Sequence, residues 1–99
     1  MLIDKNHYFA FTPDVILKIF NDEALVVNLE TEMIFAMNGT GARVAELIAR
    51  RISVGGILAI LRKEYQVDSP ELESGVSELF KALLHRQLIV NVGNHDTPK

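Results

Sequence analysis

Three histidines and the run Gly39-Thr40-Gly41 are the features of this chain whose residue types could support ligand chemistry. His7, His85 and His95 are far apart in the sequence, without the three- or four-residue spacing that brings two metal ligands onto one helix face. The glycine run precedes a predicted helix as a phosphate-binding loop does, but the Gly-Lys-Ser/Thr element of such a loop is missing. We therefore predict no metal site and no cofactor.

Catalytic side chains are equally hard to assemble from this sequence. Glu30 and Glu32 bracket a turn, which suits solvated hairpin carboxylates better than an acid and base pair. No serine has the flanking residues of a nucleophile elbow, and the absence of cysteine excludes thiolate chemistry and disulfides. A chain of 99 residues builds one domain with one core, without room for a deep catalytic cavity. We expect a protein that is not an enzyme.

Charge and hydropathy restrict the partners. The net charge of −3 and the pI near 5.5 work against unspecific binding to a phosphate backbone. The apolar runs are far shorter than the ~20 residues that span a bilayer, and Asp4-Lys5 interrupts the start where a secretory signal would be apolar. We expect a cytoplasmic protein that binds neither nucleic acid nor membrane.

A five-residue apolar stretch, Met33 to Met37, organises the predicted fold. It is too short for a helix and suits a strand, which ends at Asn38-Gly39-Thr40-Gly41. Two earlier strands are predicted: Val15 to Phe20 from its β-branched and aromatic residues, and Glu23 to Leu29 from the alternation of its residues between two faces. Because both connections are short, the three strands should form an antiparallel meander.

Helical periodicity follows the meander almost to the end of the chain. Asn38 or Thr40 is expected to cap a first helix, with Arg50-Arg51 in its last turn, where cations suit the helix dipole. Ser53 should cap a second helix that extends to about Tyr65.

A third helix and a closing strand complete the prediction. Ser69 is the expected cap, Pro70 is the first helical residue, and the helix extends to about Arg86. Leu88-Ile89-Val90 should form a short closing strand. The predicted fold is α+β and winged helix-turn-helix-like, with a three-stranded antiparallel meander followed by three helices and the closing strand. Its divisions are an N-terminal arm at 1–12, a domain at 13–92 and a flexible tail at 93–99.

This outline suggests DNA binding first, and the third helix argues against it. That helix would enter the major groove, yet Glu71, Glu73 and Glu78 outnumber its cations Lys81 and Arg86. A helix that reads bases needs Arg, Lys, Asn or Gln directed at base edges and a basic rim for phosphates. A winged-helix DNA-binding protein stays an alternative only.

The predicted strand at Met33 to Met37 lies at an edge of the meander unless the arm or a later segment covers it. Proteins usually protect such edges with charge, proline or a bulge, and none of these occurs within this stretch. The edge is therefore covered by the chain itself, pairs with a second copy in an assembly domain, or binds a peptide.

Several strings of this chain share the order and spacing of one known family: Glu23 to Glu30, Phe35 to Ala42, Ser53-Val54, Glu64 to Val67, Val76 with Leu79-Phe80, and Leu88-Ile89. The most specific part is Met37-Asn38-Gly39-Thr40-Gly41. Taken in order, these strings resemble the PqqD family of RiPP recognition elements, over about residues 13–90. The chain departs from the family pattern at Gly55-Gly56, Gly75 and Gln87, which bears on the subfamily and on the enzyme served.

The resemblance implies a non-catalytic peptide chaperone. Such proteins bind the leader of a ribosomally made precursor peptide and present it to a modifying enzyme such as a radical SAM enzyme, a protease or a cyclase. The leader would add as an antiparallel strand to Met33 to Met37, with its side chains in a groove beside the third helix. On that helix, a projection places Phe80 and Leu84 on one flank of the apolar stripe, with Glu73 and Ser77 beyond them. The predicted peptide-binding residues are Met33, Ile34, Phe35, Ala36, Met37, Glu73, Val76, Ser77, Phe80 and Leu84.

Overall fold

The computed structural model describes residues 4–66 and 70–94, which form an α+β fold as predicted. Among the helices within these residues, none has the length and the apolar composition that a membrane span requires. The elements in chain order are β1 (His7–Phe11), β2 (Val15–Phe20), β3 (Glu23–Asn28), β4 (Met33–Asn38), α1 (Thr40–Ala49), α2 (Val54–Tyr65), α3 (Pro70–His85) and β5 (Ile89–Asn94).

The strands form two separate antiparallel sheets. One is the predicted meander in the order β2-β3-β4, in which Val26 opposes both Leu17 and Phe35. The other pairs β1 with β5, so the strand in the N-terminal arm does not cover β4. β5 is longer than the predicted Leu88 to Val90 and includes Gly93-Asn94, which were expected in a flexible tail; residues 95–99 of that tail lie outside the described part.

The core lies between the meander and the helices. On β3, Ala24, Val26 and Asn28 are buried, whereas the alternate residues are more exposed. The ring of Phe80 on α3 meets that of Phe9 on β1 edge to face, with 5.1 Å between centroids. Burial of apolar surface from all three helices and from β1, β3, β4 and β5 supplies most of the driving force for this arrangement.

The start of α1 differs from the prediction. Its N-cap is Gly39, and no side chain caps the helix, so neither Asn38 nor Thr40 has that role. Gly39 has a φ of 57°, a conformation that glycine adopts without steric cost and that turns the chain directly from β4 into the helix. α1 ends at Ala49, so Arg50-Arg51 follows the last turn instead of belonging to it.

The start of α2 explains the Gly55-Gly56 pair. Ser53 caps the helix as predicted, because its Oγ accepts a hydrogen bond from the Gly56 N–H at 3.1 Å. The Gly55 N–H donates to the carbonyl of Lys5 at 2.9 Å, and a Cβ at Gly55 would lie 3.2 Å from that oxygen. Glycine therefore lets the N-terminal segment cross directly over the first turn of α2. The α3 start at Pro70 is also confirmed; its expected cap, Ser69, lies outside the described residues.

An ion-pair network joins α1 to α2. Arg43 binds Glu64 through two nitrogens and Glu46 at 2.9 Å, and Arg50 binds Glu46 at 3.1 Å. The hydrogen bonds from Arg43 hold the pKa of Glu64 below its ordinary value, although desolvation opposes that shift. The stabilisation from Glu64 is therefore present above its unfolded-state pKa and lost as the pH falls through the lower folded-state pKa.

Candidate functional site

The open side of β4 exposes backbone hydrogen-bonding groups. Gly39 donates its N–H to the carbonyl of Asp22 at 2.9 Å, which continues the β3-β4 ladder past the end of the strands. In an antiparallel pair every second residue bonds to the same neighbouring strand, so Met37 and Phe35 are also hydrogen-bonded to β3. The backbone groups of Ile34 and Ala36 therefore point away from β3, where no described strand pairs with them.

Side chains alternate along the same strand. Phe35 and Met37 face the helices, and Met37 is only 9% exposed. Ile34 is 60% exposed on the opposite face of the sheet, where it lies across from Val27. A strand added at this edge would therefore place every second side chain toward the helices.

An apolar cleft lies beside the Met37 end of β4. A Cβ at Gly41 would lie 3.2 Å from Cβ of Met37 and 3.8 Å from Cδ2 of Leu79, so α1 and α3 both come close to this strand end. The cleft has a volume of about 330 Å³, and a Cβ at Gly75 would meet no atom within 4 Å. Its lining residues are Thr40, Gly41, Val44, Glu71, Leu72, Gly75, Val76 and Leu79.

The C-terminal end of α3 meets β4 at Phe35. Cζ of Arg86 lies 5.0 Å from the centroid of the Phe35 ring, within cation–π distance. Together with the Leu79 contact near Met37, this shows that α3 and β4 extend in opposite directions along one groove. An antiparallel peptide on β4 would follow the direction of α3.

The structure places the predicted groove residues of α3 differently. Phe80, which was predicted to line the groove, is 0% exposed and lies in the core. Val76 is also buried but reaches the cleft, whereas Leu84 is 36% exposed. Glu73 and Ser77 line a separate small cavity against α2, and Glu73 already meets two cations, Lys5 at 3.1 Å and Arg62 at 3.7 Å.

The side of α3 that faces β4 is the opposite flank, which the sequence prediction missed. Gly75, Leu79 and Arg86 lie there, together with Gly41 at the start of α1. A glycine within a predicted helix, Gly75, was the sequence signal that could have identified this flank. No group of three metal-ligating side chains occurs among the described residues.

Known proteins resemble this chain in fold and in family. No curated protein matches it, but a solved structure and a family model do. Among solved structures, the fold is similar to that of "TbiB1 in Complex with the TbiA(beta) Leader Peptide", with a TM-score of 0.76 and 21% sequence identity over 91% of this chain and 99% of that one. Neither result supports the DNA-binding alternative. The family model described as "Coenzyme PQQ synthesis protein D (PqqD)" matches residues 23–89, more than half of the sequence, and the chain therefore belongs to the PqqD family.

Proposed function

We propose that this protein binds the leader of a ribosomally synthesised precursor peptide and presents it to a modifying enzyme, without catalysing a reaction itself. Family membership and the likeness to TbiB1 support this proposal. The observation on which it depends most is the open backbone edge at Ile34 and Ala36 beside the cleft at Leu79. The partner enzyme would be a radical SAM enzyme, a protease or a cyclase, and the encounter would take place in the cytoplasm.

The leader would bind by strand addition. Its backbone would pair with Ile34 and Ala36, which supplies affinity that does not depend on sequence. Its inward side chains would enter the groove between β4 and α3, where apolar pockets select them. Met37 gives the groove an adaptable wall, since thioether side chains repack at low cost.

Self-association is the second candidate, because the same edge could pair with the β4 edge of another copy. The outer face of the meander favours it: Ile16, Phe20 and Ile34 are 45%, 48% and 60% exposed there. Exposed apolar patches on sheets are often interaction sites. Sedimentation analysis separates the two, since self-association would raise the mass with protein concentration in the absence of peptide.

Proline at Ala36 tests strand addition directly. Ala36→Pro removes an N–H that points away from β3, so the meander keeps its own hydrogen bonds while an added strand loses a donor. We expect about a tenfold or greater loss of affinity, because the hydrogen bond from the Ala36 N–H is lost and the peptide carbonyl that would accept it is left unpaired. The measurement is fluorescence anisotropy with a labelled peptide selected from a random display library for binding to the wild-type protein.

Ala36→Val is the matched control. It changes the side chain on the exposed face but keeps the N–H, and valine suits a strand. Its affinity should stay within about twofold of wild type. An Ala36→Pro protein with unchanged far-UV circular dichroism and unchanged affinity would rule out pairing at this edge.

A further inference from the structure

Arg86 lies in the groove with an incompletely satisfied guanidinium. Its Cζ is 5.0 Å from the Phe35 ring centroid, and its Nε is buried without a hydrogen-bond acceptor in the described part of the chain. Within residues 4–66 and 70–94, no carboxylate lies within ion-pair distance of it. Among the other arginines, Arg43, Arg50 and Arg62 each meet a glutamate, and Arg51 is exposed to solvent.

A structural role accounts for part of this placement only. A cation just after the last residue of α3 is favourable for the helix dipole, and the Phe35 ring adds a cation–π contact. Neither interaction accepts a hydrogen bond from the guanidinium. Its planar set of N–H donors matches a carboxylate, which can accept two of them at once.

The position of Arg86 along the groove limits where such a carboxylate could come from. On a peptide added antiparallel to β4, the residue opposite Phe35 lies two positions after the residue opposite Met37, and both face the helices. The apolar cleft lies at the Met37 end and Arg86 at the Phe35 end. Farther on, Glu30 and Glu32 in the turn before β4 would repel an acidic residue.

We propose that Arg86 recognises an aspartate or glutamate side chain of the leader peptide, at a position two or four residues after the large apolar residue that enters the cleft beside Gly75. This inference rests on the proposed function. It adds to the selection of an apolar residue the requirement for an acidic residue, and it gives the order of the two residues in the peptide. The apolar residue comes first in the chain and the acidic residue second, because the bound strand extends from the Asn38 end of β4 toward Met33.

A random dodecapeptide display library tests the proposal without a known ligand. The library is sorted separately on immobilised wild-type protein, on Arg86→Gln and on Arg86→Glu. Peptides selected by wild type should be enriched in Asp or Glu two or four residues after a large apolar residue. Arg86→Gln should keep the apolar preference and lose the acidic one, and Arg86→Glu should select Lys or Arg at the same position.

A double-mutant cycle on one selected peptide measures the pair. Changing its acidic residue to the matching amide should weaken binding to wild type by about tenfold and to Arg86→Gln by less than about twofold. Arg86→Lys keeps the charge without the planar fork and should recover only part of the affinity. If a Lys-containing peptide restores the affinity lost in Arg86→Glu, a purely structural role of Arg86 is excluded, because such a role would not depend on the charge of the peptide.

The outcomes separate the two proposals. If none of the three proteins selects any peptide, leader binding itself fails, and the role of Arg86 fails with it. If peptides are selected with apolar spacing but without acidic enrichment, or with the same enrichment on Arg86→Glu, the role of Arg86 is overturned while strand addition stands. Amide spectra that match wild type outside the groove establish that the Arg86 variants are folded.

Discussion

At the scale of single residues, the two flanks of α3 lie in opposite environments. Phe80 packs in the core against Phe9, whereas Gly75, Leu79 and Arg86 face the groove. Both flanks border the same apolar stripe in a projection of the sequence, so periodicity alone could not distinguish them. The prediction placed the groove on the flank that carries Phe80, whereas the flank beside β4 is the one that carries Gly75 and Arg86.

Truncating Phe80 tests its place in the core. Phe80→Ala should lower the free energy of unfolding by about 3–5 kcal/mol, because it leaves a cavity and removes the aromatic contact with Phe9. Leu84→Ala, at a residue assigned to the same flank, should cost less than about 1 kcal/mol. Urea unfolding of the two variants measures the difference, and equal costs would show that Phe80 is not a core residue.

At the scale of the elements, two glycines within helices have different roles. Gly56 lies in the first turn of α2, where a Cβ would come within 2.7 Å of Cγ2 of Ile52. Gly75 lies in the middle of α3 with open space around it. The first is required by packing, and the second leaves room in the cleft at some cost to the helix.

Alanine at these glycines should change stability in opposite directions. Gly75→Ala should stabilise by about 0.5–1 kcal/mol, because alanine has the higher helix propensity and meets no atom. Gly56→Ala should destabilise by about 1 kcal/mol, since the forced shift of Ile52 outweighs the same propensity gain. Thermal unfolding followed by circular dichroism checks both signs, and stabilisation by Gly56→Ala would contradict the packing argument.

At the scale of the whole molecule, one buried asparagine ties the meander to the end of α3. The Asn28 side chain donates to the carbonyl of Gln87 at 3.2 Å. Its Oδ1 accepts the N–H groups of Glu30 and Thr31, which shapes the turn between β3 and β4. This side chain therefore helps to hold the Met33 end of β4 at its distance from Arg86.

Removing these bonds should weaken the entire fold. Asn28→Ala should cost about 2 kcal/mol, because the Gln87 carbonyl loses its donor and the turn N–H groups lose their acceptor. Asn91→Ala is the control, at an exposed asparagine that also has a side-chain contact, with His7; its cost should stay below about 1 kcal/mol. Guanidinium unfolding gives both values, and similar costs would show that the link is dispensable.

Local signals in the sequence determined the elements of this protein. The structure confirms signals that each come from residues close in the chain: the β-branched and aromatic composition of β2, the alternation of β3, the apolar run of β4, the Ser53 cap and Pro70. Motif order was sufficient to indicate the family, which the match to residues 23–89 shows.

Only the tertiary structure decided which elements meet. The pairing of β1 with β5, the groove flank of α3 and the contact between Arg86 and Phe35 join residues that are distant in the sequence. The register that leaves Ile34 and Ala36 facing outward likewise depends on how β4 pairs with β3. Such contacts follow from how apolar surfaces pack together in three dimensions, and the period of a strand or helix gives only the surface that is available for packing.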